Sequence, residues 1–531
     1  MFEILKTGID GLDAILGGGL RYPGQTAAFV FITGGPGTGK SMLGLEMVSR
    51  AWLNGEDGST CLYYSVEQTP DHVHAKLESD FDFFRVPARI RALPREVPHK
   101  LALEAETAKG RSRLVLTQAN PAGLEKNQRR GTVVDVDWIL TEIGNHRLAG
   151  PVHMVCIDNV GLLLTDLDYF EKRTALLETR RALAAHKIHG IFVQEENDPR
   201  DLRIPSAEEF STDLLVQLSF HGEREEFKAR TLEIVKARHQ YYYRGRHHFS
   251  IAGRGITRDT YLGARNERGP GIHIYPSVAA QLSIARDRAP FAVPQRGPDL
   301  IDLGHQDLHA AFLNQSGPAR GSSTVLLAEP GTRYTYLALR FLAKGIARDE
   351  VTLMLSTKED LDALRRICTR EAALRDHCLD REGNFDPRFR ILYLHPEYIS
   401  PGKFTWDLMR IVMGGHGVPG QGPVKRFVFD NVYRLQDRFP LISEQGFLIP
   451  ALIDLMRYQN VTPLFIDLVP PGSARGRADF NPSSYMTNFD NVLHLYLEDD
   501  GQGATRPMLR VLKSTANDFS QKPVPIEYRR T

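Results

Sequence analysis

The chain has 531 residues, 42% apolar and 25% charged, with a formal net charge of +1. At about 100–200 residues per domain this length predicts two to four domains, and so balanced a charge excludes a global basic field that would demand nucleic acid or an anionic membrane. No charged-then-apolar signal pattern opens the sequence, no apolar run reaches the ~18 residues that span a bilayer, and Cys61, Cys156, Cys368 and Cys378 form no CxxC pair. The expectation is a reduced, cytoplasmic protein without a membrane span, a zinc site or a disulfide framework.

The first informative element is the apolar run AAFVFIT (27–33), which leads into GGPGTGKS (34–41) and then MLGLEMVSRAW, apolar at helical spacing. Strand, Gly-rich loop and helix in this order predict a phosphate-binding loop formed by Gly34, Gly35, Pro36, Gly37, Thr38, Gly39, Lys40, Ser41 and Met42. Glycines let backbone N–H groups turn towards phosphate oxygens, the helix N-terminus adds partial positive charge, Lys40 reaches the β- and γ-phosphates and the Ser41 hydroxyl coordinates Mg²⁺. ATP and Mg²⁺ are the expected ligands. In CLYYSVEQTPD (61–71), Glu67 is placed at the end of the next predicted strand, where it can orient the attacking water. A Glu in that place puts the fold in the RecA branch of phosphate-loop proteins, a mainly parallel α/β sheet flanked by helices. Further on, HMVCIDN (153–159) predicts a buried strand ending in Asp158, the second Mg²⁺-supporting group.

Between these strands, residues 85–131 carry eleven Lys/Arg against four Asp/Glu. This basic excursion is either a solvated, mobile insertion or a docking surface for an acidic partner or nucleic acid.

The second half repeats the first. SSTVLLAEPGTRYTYLALRFLAKG (322–345) parallels the first strand, loop and helix; KRFVFDNVYRL (425–435) parallels VHMVCIDNVGLL (152–163); and RVLKST (510–515) parallels EIVKAR (233–238). The expected division is 1–285 and 286–531, through the proline- and charge-rich RDRAPFAVPQRGPD. In the second loop Ala328, Arg333 and Tyr334 stand for Gly34, Gly39 and Lys40. Ser356 of LMLSTKED (353–360) is expected where Glu67 would be. A copy without lysine or base should neither bind ATP tightly nor hydrolyse it. Lys40 and Asp158 lie 118 positions apart, Tyr334 and Asp430 only 96, so the first copy holds about 22 extra residues, expected within 85–131.

With TGIDGLDAILGGGL (7–20), GGPGTGKS, SVEQTPDHV (65–73), IDN and EEFSTDLLVQLSFHGEREEFKARTLEIVKARHQYYYRGRHHFSI (208–251), the chain resembles the KaiC family, tandem-repeat ATPases of the cyanobacterial clock with relatives in bacteria and archaea. The resemblance is strong over 1–280 and colinear over 300–515. It implies hexameric rings with ATP between subunits, and a Lys-x-Arg motif, here Lys236 and Arg238, reaching the neighbour's γ-phosphate. The second copy has Lys513 but Thr515. The family's adjacent glutamate pair is Glu67-Gln68 here, which points to slow turnover. Clock members phosphorylate themselves from their second domain; the missing lysine, and Met486-Thr487 where a Ser-Thr acceptor pair would fall, argue against that activity here.

Three functions compete. One is a regulatory, signalling ATPase ring with an unidentified protein partner. Another is a RecA/DnaB-type DNA-acting ATPase in repair or recombination, hinted at only by 85–131 and by YYYRGRHH (241–248). The last is a non-catalytic, ATP-stabilised scaffold.

Overall fold

The computed structural model describes residues 1–81, 89–107, 109–119, 136–163, 169–195, 212–221, 229–252, 271–288, 300–305, 311–312, 317–393, 400–414, 422–433, 448–471, 487–499, 503–515 and 517–528. They fall into two compact units, one ending at Ala280 and the other beginning at Gln281. Met486, segment 120–131 and most of the proline-rich junction lie outside the described residues.

The first unit opens with β1 (Phe2–Leu5) and β2 (Leu20–Pro23), a small antiparallel pair. Its main sheet has eleven strands: β3 (Phe29–Gly34), β4 (Thr60–Ser65), β5 (Arg89–Ala92), β6 (Lys100–Thr107), β7 (Gly110–Gln118), β8 (Val152–Asp158), β9 (His189–Glu195), β10 (Leu214–His221), β11 (Ala229–Ala237), β12 (Arg246–Ala252) and β13 (Gly271–Tyr275). Their order is β13-β12-β11-β10-β3-β9-β8-β4-β7-β6-β5, parallel from β10 to β7 and antiparallel at both flanks. The central strands are continuous apolar runs because both faces are covered. Val30 and Ile32 of β3 pack with the helix Lys40–Leu53, while Phe29 and Phe31 pack on the other side with Ile139, Ile143 and Leu183.

The second unit has an eight-stranded sheet: β14 (Thr324–Ala328), β15 (Val351–Ser356), β16 (Phe389–Tyr393), β17 (Val424–Asp430), β18 (Thr462–Leu468), β19 (Asn491–Asp499), β20 (Thr505–Ser514) and β21 (Val524–Pro525). Its order, β16-β15-β17-β18-β14-β19-β20-β21, reproduces β7-β4-β8-β9-β3-β10-β11-β12 strand for strand. These are two tandem RecA-like sheets. The repeat extends to irregularities. A bulge sets Lys236 opposite Leu215 but Ile234 opposite Val216; the same bulge sets Lys513 opposite Val492 but Val511 opposite Leu493.

A repeated polar anchor was not anticipated from the sequence. Phe29 N donates to buried Asp213 (3.0 Å), which pairs with Arg180 (3.0 Å); Ser323 N donates to buried Asp490 (2.9 Å), which pairs with Arg457 (3.4 Å). The one available signal was the aspartate before each apolar run, DLLV (213–216) and DNVL (490–493).

The basic segment is largely sheet where it is described. β5 and β6 are extra strands beyond β7, with no counterpart among the described strands of the second unit. Arg91, Glu104 and Arg113 stand in cross-strand register, and Glu104 bonds both arginines, which hold its carboxyl below its ordinary range. Arg95 pairs with Asp71 and Lys100 with Glu142. A charged edge strand also discourages edge-to-edge pairing. Among the described residues no helix is long and apolar enough to cross a membrane.

Candidate nucleotide site

β3 ends in Gly34 because nothing larger fits: a Cβ there would lie 2.2 Å from Leu218 O of β10. The loop then turns at Gly37 and Gly39, and Gly39 caps the following helix in a left-handed conformation (φ 106°). Thr38 Oγ1 donates to Gly35 O at 2.8 Å, closing the turn. Lys40 opens the helix; its side chain is buried and its Nζ donates to Gly35 O at 2.7 Å. The helix carries no acid of its own in its first turn, where its N-terminus is partly positive. Met42, half-buried, packs towards the core.

Asp158 ends β8 beside this helix. Its Oδ1 accepts from Ser41 Oγ (3.1 Å) and its Oδ2 from Tyr63 Oη (2.6 Å), so both carboxylate oxygens are held by hydroxyls. Burial raises its pKa against the opposing effect of those bonds, and the Glu67 charge adds to the rise. Tyr63 is fully buried on β4, and its hydroxyl's pKa is raised mainly by burial. Tyr63 belongs to the site and reads in sequence as one more apolar strand residue.

β4 stops at Ser65, two residues before Glu67. Ser65 Oγ accepts from Gln68 N at 2.9 Å and forms a turn that presents Glu67 exposed at the cavity mouth; Lys76 Nζ holds Gln68 Oε1 at 3.0 Å. The cavity, about 240 Å³, is lined by Lys40, Ser41, Glu67, Asp158, Asn159 and Glu195 among others. Glu195 stands at the end of β9 opposite Gly34. It is a second carboxylate that the sequence reading missed, although the strand-ending run IFVQE (191–195) signals it.

The residues fit a magnesium nucleotide. Gly35 and Gly37 face open space, as a phosphate cradle needs. The Ser41 and Asp158 oxygens adjoin on the cavity wall. Among the described residues no group of three or more His, Cys, Asp or Glu is placed to hold a metal.

Lys236 and Arg238 are elsewhere. β11 runs antiparallel to β10, so its end lies at the opening of β3: Lys236 is level with Phe31, and Arg238 N bonds Asp213 O beside Phe29. Three residue steps of strand separate Phe31 from Gly34, about 10 Å, and the phosphate loop lies beyond. This turn sits at the opposite edge of the sheet from its own cavity.

In the second unit, Ser356 pairs with Asp430 as Ser65 pairs with Asp158, and Ser356 Oγ accepts from Glu359 N at 2.9 Å. Ser356 therefore corresponds to Ser65, correcting the expectation that it replaces Glu67. The residue in the place of Glu67 is Lys358, paired with Glu359 at 3.1 Å. The strand stops at Ser356, and the turn that follows carries Lys358. The loop is more altered than its lysine alone suggests. Arg333 takes the left-handed cap (φ 58°), and its guanidinium lies over the Tyr528 ring. Glu329, in the place of Gly35, is buried and accepts from Leu497 N. Each Asp–Asn peptide bond, 158–159 and 430–431, is cis.

A profile of the KaiC ATPases matches residues 5–89 and 95–258. The amino-terminal unit belongs to the KaiC ATPase family. The chain is 24% identical over 356 residues to the circadian clock protein KaiC2 of Synechocystis sp., an alignment covering 66% of this chain and 52% of that protein. It is 27% identical over 258 residues to a UPF0273 protein of Aeropyrum pernix, covering 48% of this chain and 93% of the relative. With a UPF0273 protein of Thermotoga maritima it shares 37% over 78 residues, 15% of this chain and 29% of the relative. The chain thus spans about half the length of KaiC2. A KaiC ATPase domain implies nucleotide binding.

Proposed function

We propose that the KaiC domain binds ATP with Mg²⁺ and hydrolyses it slowly within a cytoplasmic ring of identical subunits, and that the ring is a regulatory ATPase that presents surfaces to a protein partner. The single observation that supports this most is a separation: loop, Ser41, Asp158 and Glu67 meet at one cavity, while Lys236 and Arg238 stand at the other edge of the sheet. Cations in that position act only on a neighbour's phosphate, through a head-to-tail contact that closes into a ring.

Each residue then has a defined task. Loop N–H groups cradle the phosphates, and Lys40 exchanges Gly35 O for a phosphate oxygen. Ser41 and Asp158 would hold Mg²⁺, which would supply charge neutralisation for the nucleotide's phosphates. Glu67 accepts the proton of the attacking water as its oxygen bonds to the γ-phosphorus and ADP leaves. The neighbour's Lys236 and Arg238 stabilise the charge on the transferring group. Gln68 in place of a second carboxylate keeps turnover slow.

In this reading the second unit, with Tyr334, Glu329 and Lys358 in its loop and turn, neither hydrolyses ATP nor phosphorylates the chain. The DNA-acting alternative is weakened because four described basic residues between 89 and 118 are ion-paired and because His247 of YYYRGRHH is buried. The test is to measure particle mass, bound nucleotide and turnover together, with and without ATP, in wild type, Lys40→Ala and Glu67→Gln. The expected result is one nucleotide per wild-type chain, none for Lys40→Ala, and a Glu67→Gln ring that binds ATP but turns it over about 10²–10⁴-fold more slowly. Wild-type turnover in Glu67→Gln would remove Glu67 as the base and favour the scaffold reading. Salt-sensitive binding of single-stranded DNA would revive the DNA-acting one.

A further inference from the structure

The turn that carries Lys236 and Arg238 is clamped from outside. After β11 the chain reverses through His239, a non-glycine residue in the left-handed region (φ 64°). The next residue, Gln240, reaches back 219 to 224 positions in sequence. Its Nε2 donates to Leu16 O (2.8 Å) and Gly19 O (3.2 Å), and its Oε1 accepts from Arg21 N (2.5 Å). Leu16 is the C-terminal cap of the helix Asp10–Ile15, whose last carbonyls need outside donors. Tyr243 N supplies another, to Ile15 O at 3.0 Å.

The anchor is itself fixed. A Cβ on Gly19 (φ 137°) would meet Ile4 Cγ2 and Leu5 O of β1 at 2.8 Å, so this loop is seated tightly against the β1–β2 pair. The Phe2 ring of β1 lies 5.2 Å from the His239 ring. None of these residues lines the nucleotide cavity of the same chain.

The second unit offers a comparison. Thr515 stands for Arg238 and Asn517 for Gln240. Asn517 Nδ2 keeps one bond, to Gly317 O at 2.8 Å, and its buried Oδ1 has no hydrogen-bond partner among the described residues. Where the arginine is gone, three side-chain bonds have become one.

We propose that Gln240 is a positioning residue that aims Lys236 and Arg238 at the γ-phosphate of a neighbouring subunit's ATP, by locking their turn to the amino-terminal Gly-rich loop. This rests on the trans reading of Lys236 and Arg238. Long cationic side chains stabilise a transition state only when held in place, and a displacement of about 1 Å costs on the order of 10²-fold in rate.

The experiment measures ATP affinity and turnover of full-length Gln240→Ala and Gln240→Asn rings, alone and co-assembled with Lys40→Ala subunits, with Arg238→Ala treated in parallel. Gln240→Ala alone is expected to lose about 10- to 100-fold in kcat with ATP affinity unchanged, and Gln240→Asn to lose less. Co-assembly with Lys40→Ala, which binds no ATP but has an intact turn, is expected to restore turnover, because some Gln240→Ala sites then face an intact neighbour. A merely structural role would not be complemented in this way. Wild-type kcat in Gln240→Ala, or recovery for Arg238→Ala but not for Gln240→Ala, overturns the proposal. Failure of Arg238→Ala itself to recover removes the trans reading beneath it.

Discussion

The two units share a strand order, a bulge and a buried Asp–Arg anchor, yet their loops face opposite electrostatic demands. In the first, a buried lysine at the helix start faces open space beside Gly35 and Gly37. In the second, Tyr334 fills the lysine's place, a buried Glu329 replaces Gly35, and the Tyr528 hydroxyl donates to Thr332 O while its ring lies under Arg333. Such a scaffold tolerates either loop because its stability lies elsewhere. The strands bury their apolar faces whether or not the loop binds phosphate, so the loop can change while the sheet does not.

The largest effect that would break this comparison is expected for Lys40→Ala. Removing the buried Lys40 cation should weaken ATP binding at least about 100-fold and leave the chain empty, as isothermal titration would show; half-occupancy would mean that the second loop binds after all. Arg238→Ala is next: binding retained, with kcat down about 10³-fold or more in a steady-state phosphate-release assay.

Acid should separate the units by stability. His189, His247 and His248 of the first unit are held neutral by burial, each with a pKa lowered to about 4; among the described residues of the second unit, His494 is the one so lowered. Ser277 N donates to His247 Nδ1 (3.0 Å), so the proton sits on Nε2 and is donated to Tyr243 O (3.0 Å). A depressed folded pKa means that the unfolded chain binds the extra protons. The stability these histidines contribute is therefore present above their unfolded pKa of about 6.5 and is lost as pH falls towards 4, by roughly 2 kcal/mol each at about pH 5. Calorimetry should show the first unit's transition falling further than the second's between neutral pH and about 5; equal shifts would refute this.

The smallest expected effect sharpens the comparison from the other side. Tyr334→Lys should not create a second ATP site, because Glu329 and Arg333 still occupy the loop. Measurable binding by Tyr334→Lys on a Lys40→Ala background would show that the lysine was the whole of the loss.

The first loop was legible because its chemistry is local. Gly34 to Ser41 are contiguous, and the apolar runs on either side announce a strand and a helix. Asp158 was legible as a carboxylate closing an apolar run. The turn after β4 was not: where a buried strand stops and a turn begins is decided by Ser65 Oγ capturing Gln68 N, a bond that leaves no trace in the apolar pattern and shifted the second copy's alignment by two residues. Tyr63 and the Arg180–Asp213 anchor were also hidden, since each acts on a partner 95 or 33 positions away, whereas Glu195, like Asp158, closes an apolar run.

Sequence alone determined that one half carries the glycine, lysine and hydroxyl spacing of GGPGTGKS and the other does not, because that spacing is set by a single stretch of backbone. Only the tertiary structure decided that the loop and the Lys236–Arg238 turn lie at opposite edges of one sheet, and that Gln240 ties that turn to residues 16–21. Strand direction and long-range hydrogen bonds are properties of the folded chain, fixed when antiparallel β11 takes its place beside β10.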